Sequence, residues 1–481
     1  MEKDYKQLFV GGDLSGIQKF LYNISSKKAA VSLKGRSYYL QQYMDNVCSK
    51  IEQTAKKAGA KEIEVIYNSG GKFYLIVDNS QKIRTAIDNC AKQVPIELWH
   101  EHLGELGISV SYVPFTENAD GTVNTEGLIN QKPGCLWKTV NVSFHRQKNQ
   151  KFKDLLLDSY GKFFEPIPVG GQPKVCAVTG VESAKCVKVE DMFVLPSVKQ
   201  QIQLGEEIRN QQHFKSFEEY AGNTKLGILR MDIDGLGKRF VEGFKSIKEY
   251  QAFSKRLVDF FEKRIKDIQK EPVFKEYLNI IYAGGDDLFV VGQWSKIIVF
   301  AERIHKEVEN NFGIEGITIS GGVAIVDPKY PISKAAELAG EAENDAKRFR
   351  NGEKNSLCFL GRSISWKDEY EYVKSYQQQF VSLIQNYGLS KSILHKLMLY
   401  SSIADQNRIR KREGRPEDFS YIWHISYYLT RFINRYSSNN EVCAFCRNLR
   451  DKELDYRNSR QLELVALAAR WAELILKDIN N

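Results

Sequence analysis

The apolar runs Ile280-Ile-Tyr282 and Leu288-Phe-Val-Val291 flank Ala283-Gly-Gly-Asp-Asp287, a pattern that predicts a β-hairpin with glycines and two acids at its tip. Upstream, Leu226-Gly-Ile-Leu-Arg-Met-Asp232-Ile-Asp234-Gly235 reads as a second apolar strand that ends in alternating carboxylates. Between them Phe253, Leu257, Phe260, Phe261 and Ile265 recur at helical spacing. Beyond the hairpin the pattern predicts a helix through Ile297 to Val308, an alternating strand from Ile317 to Val326, and a helix from about Ser333 to Arg350. That order, βααββαβ, is the plan of a ferredoxin-like palm, an antiparallel sheet with helices on one face.

The same order occurs earlier in the chain. Val10-Gly-Gly-Asp13-Leu-Ser15-Gly16-Ile-Gln-Lys-Phe20 echoes Met231 to Phe240 at an offset of 219, and the stretch from Glu64 to Val77 echoes Asn279 to Val291 with Gly70-Gly71 set on Gly284-Gly285, an offset of 214. Two matches in one order at nearly one spacing point to a duplicated domain. In this copy the strand to Asp13 leads to a helix through Tyr39 to Ile51, then a helix near Ile83 to Val94 and a strand from Ile108 to Phe115. The expected fold class is α+β: a first palm over 1–165, a small linker domain over 166–222, a second palm over 223–362 and a C-terminal α-helical domain over 363–481. The last follows from long amphipathic stretches at Tyr370 to Tyr387, Lys391 to Ile403, Phe419 to Tyr436 and Asp455 to Ile479.

Composition changes this picture little. The chain has 481 residues, 42% hydrophobic and 27% charged, room for about three domains with their own cores. A formal charge of +9 tilts toward an anionic partner, but the argument must rest on local clusters. The start, Met-Glu-Lys-Asp-Tyr-Lys, has no apolar leader pattern and no run is long enough to span a membrane, so a cytoplasmic protein is expected. Its eight scattered cysteines form no disulfide framework.

The acids carry the chemistry. Asp232 and Asp286, on adjacent strands, are the leading metal ligands, with Asp234 and Asp287 behind them; carboxylates gathered there repel one another unless a divalent cation, Mg²⁺ or Mn²⁺, sits between them. Gly-Gly-Asp-Asp alone would pass for a turn, but Asp-Ile-Asp-Gly at a strand end 52 residues before it argues for a site. The arrangement suits in-line attack of a ribose hydroxyl on the α-phosphate of a nucleoside triphosphate, with pyrophosphate leaving. Gly284 and Gly285 let phosphate approach the backbone, and Gly235, Gly237 and Lys238, entering a helix, offer amides and a cation to it. Lys347 and Lys354 are further candidates for the same phosphates.

The first copy has lost this chemistry. On the 214 offset Lys72 and Phe73 stand where the second palm has its acids, Ser15 replaces Asp234, and Asp13 alone remains. Such a palm can still hold nucleotide through Asp13, Ser15, Gly70, Gly71 and Lys72, the lysine supplying charge in place of a metal.

The segments Gly12-Asp13-Leu14-Ser15-Gly16-Ile17-Gln18-Lys19-Phe20, Ile24-Ser25-Ser26-Lys27, Leu33-Lys34-Gly35-Arg36-Ser37 and Tyr282 to Asp287 resemble the large palm-domain subunit of type III CRISPR-Cas effector complexes, in its Csm-type (III-A) form. The second palm is also similar to diguanylate cyclases through Asp232-Ile-Asp234, Gly284 to Asp287 and Ala346-Lys347. The resemblance implies a subunit that, once its CRISPR RNA has captured target RNA, joins ATP molecules through 3′-5′ bonds into cyclic oligoadenylate messengers. It implies that Asp232, Asp286 and Asp287 are catalytic, that ATP lies between the palms, and that the partners are other complex subunits, CRISPR RNA and target RNA. Members commonly begin with a histidine-aspartate nuclease domain; here none of seven histidines precedes Asp, so single-strand DNase activity is not expected.

Members also bind zinc in the linker through paired Cys-x-x-Cys sites. Here Cys176 has Thr179 three residues on and Cys186 has Val189, which leaves two of four ligands, so zinc is not expected. Cys443-Ala-Phe-Cys446 reads as buried thiols. RNA contact is expected at Arg408, Arg410, Lys411 and Arg412, in a turn between two C-terminal helices, and at the basic cluster from His145 to Lys153. Neither cluster carries the interleaved aromatics of a base-stacking platform. Two other readings stay open: a non-catalytic scaffold of the same complex, and a free-standing diguanylate cyclase-like enzyme. The nucleotide used and the product's ring size are not readable from the residues.

Overall fold

The computed structural model describes residues 5–24, 28–102, 104–153, 156–157, 172–453 and 459–479. Three expectations fall outside them: the Ser25-Ser26-Lys27 segment, the boundary at 165/166 and the start of the last helix at Asp455. The chain divides into two compact units, residues 1–319 with 326–340, and residues 320–325 with 341–481. No helix among the described residues is long and apolar enough to cross a membrane.

The first unit opens with β1 (Gln7–Ser15), α1 (Ile17–Tyr22), α2 (Ala29–Lys57), β2 (Ile63–Ser69), β3 (Lys72–Asp78), α3 (Gln81–His102) and β4 (Gly107–Glu117). Short strands β5 (Val123–Thr125) and β6 (Leu128–Gln131) and the helix α4 (Gly134–Asn149) follow. The sheet order is β2-β3-β1-β4-β5-β6. β1 is central and apolar on both faces, with Leu8, Phe9 and Val10 fully buried, as a strand sandwiched in a core requires. The last three of these elements were not separately predicted, since β5 and β6 are too short to show a period.

A small segment comes next: β7 (Lys174–Val175), β8 (Glu182–Ser183), β9 (Val187–Val189) and β10 (Met192–Val194), then α5 (Pro196–Gln212) and α6 (Phe217–Ala221). Cys176 is buried where β7 turns, and the Cys186 thiol donates to the Lys174 carbonyl at 3.3 Å. The Lys34-Gly35-Arg36 run of α2 binds this segment to the first palm. Gly35 has no Cβ because the Gln201 carbonyl lies 1.8 Å from where one would stand. Arg36, 1% exposed, donates to Gln201 Oε1 at 3.0 Å and to the Phe20 and Asn23 carbonyls at 2.5 and 3.0 Å.

The rest of the first unit carries β11 (Leu226–Ile233), α7 (Leu236–Glu242), α8 (Ile247–Asp259), a π-helical turn (Phe260–Arg264), α9 (Ile265–Gln269), β12 (Leu278–Gly284), β13 (Asp287–Gln293) and α10 (Trp294–Phe312). Its strands run β12-β13-β11, all antiparallel. The single helix read through Phe253 to Ile265 is therefore interrupted by the π turn, which keeps both Phe260 and Phe261 buried.

The second unit has most of β14 (Ile319–Val326), the latter part of α11 (Ile332–Gly352), and β15 (Ser356–Phe359) with β16 (Arg362–Ser365). Here α11 leaves helical geometry at Phe349, Arg350 and Asn351. Five helices follow: α12 (Tyr370–Asn386), α13 (Ser392–Arg412), α14 (Ser420–Arg435), α15 (Asn440–Asn448) and α16 (Ser459–Ile479). The Arg408 to Arg412 cluster is the last part of α13 rather than a connecting turn. Cys443 and Cys446 are buried on α15; the Cys443 thiol donates to the Ile433 and Tyr436 carbonyls, and burial, then Cys443, pushes the Cys446 thiol up to about 12.

Candidate functional site

Two strand ends and a turn bring three acids together. Asp232, next to last in β11, stands directly opposite Asp287, the first residue of β13. Asp286 lies in the turn after Gly285, whose φ is +70, and its carbonyl accepts from the Ile233 amide at 3.1 Å. One carboxylate oxygen from each of Asp232, Asp286 and Asp287 lies within 4.8 Å of the other two, and all three residues are half-buried. Like charges facing across antiparallel strands repel, and a divalent cation between them would offset that repulsion. Hard oxygen donors open on one side fit Mg²⁺ or Mn²⁺.

Asp234 does not join them. It lies one residue past the strand, where the Thr318 hydroxyl donates to its Oδ2 at 2.8 Å and its own amide donates to the Thr318 carbonyl at 2.8 Å. Gly235, with φ +71, starts α7; Gly237 and Lys238 are exposed on that helix, and Lys238 lies 3.9 Å from Glu242. Lys347 and Lys354 belong to the second unit. Within it Lys347 Nζ pairs with Glu343 Oε1 at 2.6 Å, and Lys354 has a positive φ of 61° ahead of β15.

The first palm repeats the geometry with different charges. A register shift lies between Val65 and Tyr67 in its hairpin and between Ile280 and Tyr282 in the other. These shifts align the hairpins at an offset of 215, so Ser69 corresponds to Gly284, Gly70 to Gly285, Gly71 to Asp286 and Lys72 to Asp287. The expected counterparts of the two acids, Lys72 and Phe73, are corrected to Gly71 and Lys72; Phe73 is fully buried core. The slip arose from matching one Gly-Gly pair to the other, which the strand register does not follow.

Where Asp232 faces Asp287, Asp13 therefore faces Lys72. Asp13 is 5% exposed, and Lys148 of α4 reaches its Oδ2 at 2.7 Å. The Ser15 hydroxyl donates to the Gly107 carbonyl at 2.9 Å. Here the acid is balanced by lysines of the chain itself. Lys148, expected to meet RNA, is spent on Asp13, and its neighbour Lys151 donates to the Gly104 carbonyl at 2.8 Å.

The two hairpins touch. A Cβ on Gly70 would come within 2.7 Å of the Gly285 Cα, and one on Gly285 within 3.0 Å of the Gly70 Cα. The Gly285 amide donates to Ser69 Oγ at 3.1 Å, and that hydroxyl donates to Glu262 Oε1 at 3.0 Å. Lys34 of α2 donates to the Ile280 carbonyl at 2.5 Å, beside the register shift. Neither Ser69 nor this role of Lys34 was legible from local pattern.

A cavity of about 790 Å³ opens beside the crossing, lined among others by Lys34, Ser69, Gly70, Asn279, Tyr282 and Gly284. Burial, then Lys266, lowers the Lys34 ammonium to about 8. Asn279 is 1% exposed and its Nδ2 has no hydrogen-bond partner, a donor left for a ligand. Burial, then the charge of Asp286, holds the Tyr67 phenol well above its ordinary range; Tyr282 is held likewise by burial and Asp287.

The family description "Cas10/Cmr2, second palm domain" matches residues 225–358, and "Csm1 subunit domain B" matches residues 6–166. A protein of Enterococcus italicus named CRISPR system single-strand-specific deoxyribonuclease Cas10/Csm1 (subtype III-A) is 26% identical, over 84% of this chain and 61% of its own length. The protein of that name from Mycobacterium tuberculosis is 21% identical, over 94% of this chain and 65% of its own. The chain thus spans less than two thirds of these relatives. Among solved structures, an apo Csm1-Csm4 cassette has a TM-score of 0.67 at 19% identity, covering 98% of this chain and 70% of that one. The cassette in complex with AMPPNP has a TM-score of 0.63 at 20% identity, covering 97% and 70%. The complex with cA4 has 0.65 at 19% identity, with the same coverage.

Proposed function

From the premise that the chain belongs to the Cas10/Csm1 family of type III-A CRISPR proteins, we propose that its second palm is an ATP-dependent nucleotidyltransferase making cyclic oligoadenylates. The observation that carries this reading is the facing pair Asp232 and Asp287 with Asp286 beside them, three carboxylates gathered within 4.8 Å. We read each half as a ferredoxin-like palm, the first degenerate and the second catalytic, with the linker and the helical domain bounded as the sequence suggests.

Asp232, Asp286 and Asp287 would hold Mg²⁺, which when bound supplies charge neutralisation at the α-phosphate and a more acidic ribose hydroxyl. The rest is positioning. The hairpin fixes Asp286 and Asp287 against β11, so the acceptor's 3′-hydroxyl and the donor's α-phosphate meet in line and pyrophosphate departs. The cavity has room for a nucleoside, with Lys34 and the Asn279 amide as polar contacts and Tyr282 as a neutral wall. Gly235, Gly237 and Lys238 face the triphosphate; Lys347 and Lys354 remain candidates for it. Asp13, Ser15, Gly70, Gly71 and Lys72 support the second nucleotide by shape, since Asp13 is already paired.

The partners proposed are a Csm4-like subunit, the other complex subunits, CRISPR RNA and target RNA, in the cytoplasm. Of the four basic residues named for RNA, Arg408 is committed to Glu463 and to Asp405, which leaves Arg410, Lys411 and Arg412 for a phosphate backbone. Incubating the assembled complex with labelled ATP, Mg²⁺ and matching target RNA tests the proposal. An oligoadenylate product that disappears with Asp286→Ala and Asp287→Ala supports it; no product from the intact complex, or product unchanged in the double variant, refutes it.

A further inference from the structure

The helix α14 has two unlike faces. Tyr421, Ile425, Leu429, Phe432 and Ile433 are buried, as an amphipathic helix requires. The outward face should be polar, and it is aromatic: Phe419, Trp423 and Tyr427, spaced four apart, are 53%, 59% and 58% exposed. Arg431, four residues on, stands 5.8 Å from the Tyr427 ring centre, and Trp423 stacks on His424 with ring centres 3.6 Å apart. Large aromatics in a row on a solvent face mark a binding surface rather than a fold requirement.

The charges around the stripe say what it binds. Residues Ser420 to Arg435 include Arg431, Arg435 and His424 but no Asp or Glu. The neighbouring α13 ends in Arg410-Lys411-Arg412, and its one acid, Asp405, is held in ion pairs by Arg362 and Arg408. The two helices are locked together at this end: Asn407 Nδ2 donates to the Asp418 carbonyl at 2.6 Å, and the Asp418 amide donates to Asn407 Oδ1 at 2.8 Å. Asp418 directly precedes Phe419, so these two bonds set the basic end of α13 beside the head of the stripe. The sequence reading found no aromatics interleaved with this cluster because they come from the next helix.

We propose that the outward face of α14, with the basic end of α13, is a stacking platform for single-stranded RNA. Successive bases lie on Phe419, Trp423 and Tyr427, while Arg410, Lys411, Arg412 and Arg431 follow the phosphates. The Tyr427 hydroxyl, on an exposed ring, is a partner for ribose 2′-hydroxyls, which sets RNA ahead of DNA. A face for an acidic protein would need the cations, but not a ladder of flat rings open to solvent. The proposal rests on the reading that the Arg410 to Arg412 end of α13 meets RNA and is independent of the chemistry in the palms.

The test titrates the full chain with a fluorescein-labelled fifteen-nucleotide oligouridylate, following anisotropy and tryptophan emission across salt concentrations. Trp423→Ala with Tyr427→Ala, both exposed and neutral to folding, is expected to weaken binding by roughly tenfold or more. Trp423→Phe is expected to keep the affinity while losing the RNA-induced quenching of tryptophan. Lys411→Ala is expected to flatten the log-log salt dependence by about 0.7. Affinity unchanged by loss of the rings, quenching unchanged in Trp423→Phe, or tighter binding of the matching oligodeoxyuridylate would each overturn the platform. A ring variant that loses a protein subunit of the complex while binding the oligouridylate as before would also overturn it. A chain that binds no RNA at all sinks both the platform and the underlying RNA reading, whereas RNA binding that survives loss of the rings sinks the platform alone.

Discussion

The amide of Gly285 donates to the hydroxyl of Ser69 at 3.1 Å, so the first half of the chain holds the backbone of the hairpin that carries Asp286 and Asp287. The relationship is one-sided. At the position matching Ser69 the second palm has Gly284, with no hydroxyl to return the bond.

Ser69→Ala should therefore leave the fold intact and loosen the acids. The net worth of such a bond is about 1 kcal/mol, which corresponds to roughly a fivefold fall in turnover with little change in the KM for ATP. Ser69→Thr, which keeps the hydroxyl, should recover most of the rate. Steady-state kinetics of the assembled complex decides it: equal turnover in the alanine variant would remove Ser69 from the mechanism.

Asp287→Asn takes one charge from a like-charged cross-strand pair. Without divalent metal it should raise the thermal midpoint by about 1–3 °C, because the repulsion is worth only some tenths of a kcal/mol to about 1. With saturating Mg²⁺ the order should reverse, since binding to the native state alone stabilises by roughly 2.7 kcal/mol at a hundred times Kd. Differential scanning fluorimetry with and without Mg²⁺ reads both signs. Nucleotidyl transfer should drop by about 100-fold.

Lys148→Ala strips the partner from a buried carboxylate. Leaving Asp13 alone should cost about 3 kcal/mol, and Asp13→Asn in the same chain should restore most of it. Urea unfolding measures the pair; a Lys148→Ala chain as stable as the parent would mean that Lys72 or solvent already balances Asp13.

His102 is buried against Phe20 and Tyr39, and burial, then the Arg36 charge, lowers its imidazole to about 4. Between pH 6.5 and about 4 the unfolded chain takes up a proton that the folded chain refuses, so this group's stabilisation is complete above pH 6.5 and is lost as pH falls through that window. His102→Gln should flatten the acid limb of stability against pH over the same range. Denaturation midpoints at pH 7, 6, 5 and 4 for both chains give the comparison.

The hairpins, the duplicated order and the helical C-terminal part were legible because each rests on local periodicity: two glycines between apolar runs, or apolar residues at helical spacing. What escaped was non-local. The strand register, which shifts at matching places beside Tyr67 and Tyr282, sets Lys72 on Asp287, whereas the Gly-Gly letters set it on Asp286. Lys148 reaches Asp13 across 135 residues, and Lys34 reaches Ile280 across 246. Asp234 looked like a fourth ligand because it alternates with Asp232, but the strand ends at Ile233 and the alternation ends with it. The stripe on α14 was visible as letters; only the burial of the opposite face reveals which rings are left outside.

At Gly70 and Gly285 each backbone occupies the space where the other's side chain would stand, and both residues sit at positive φ. A domain with Lys72 where its twin has Asp287 would ordinarily be free to drift. This one is not, because a single methyl group at its turn would wedge apart the hairpin that carries Asp286 and Asp287, so the half with Lys72 answers for the geometry of the half with the acids.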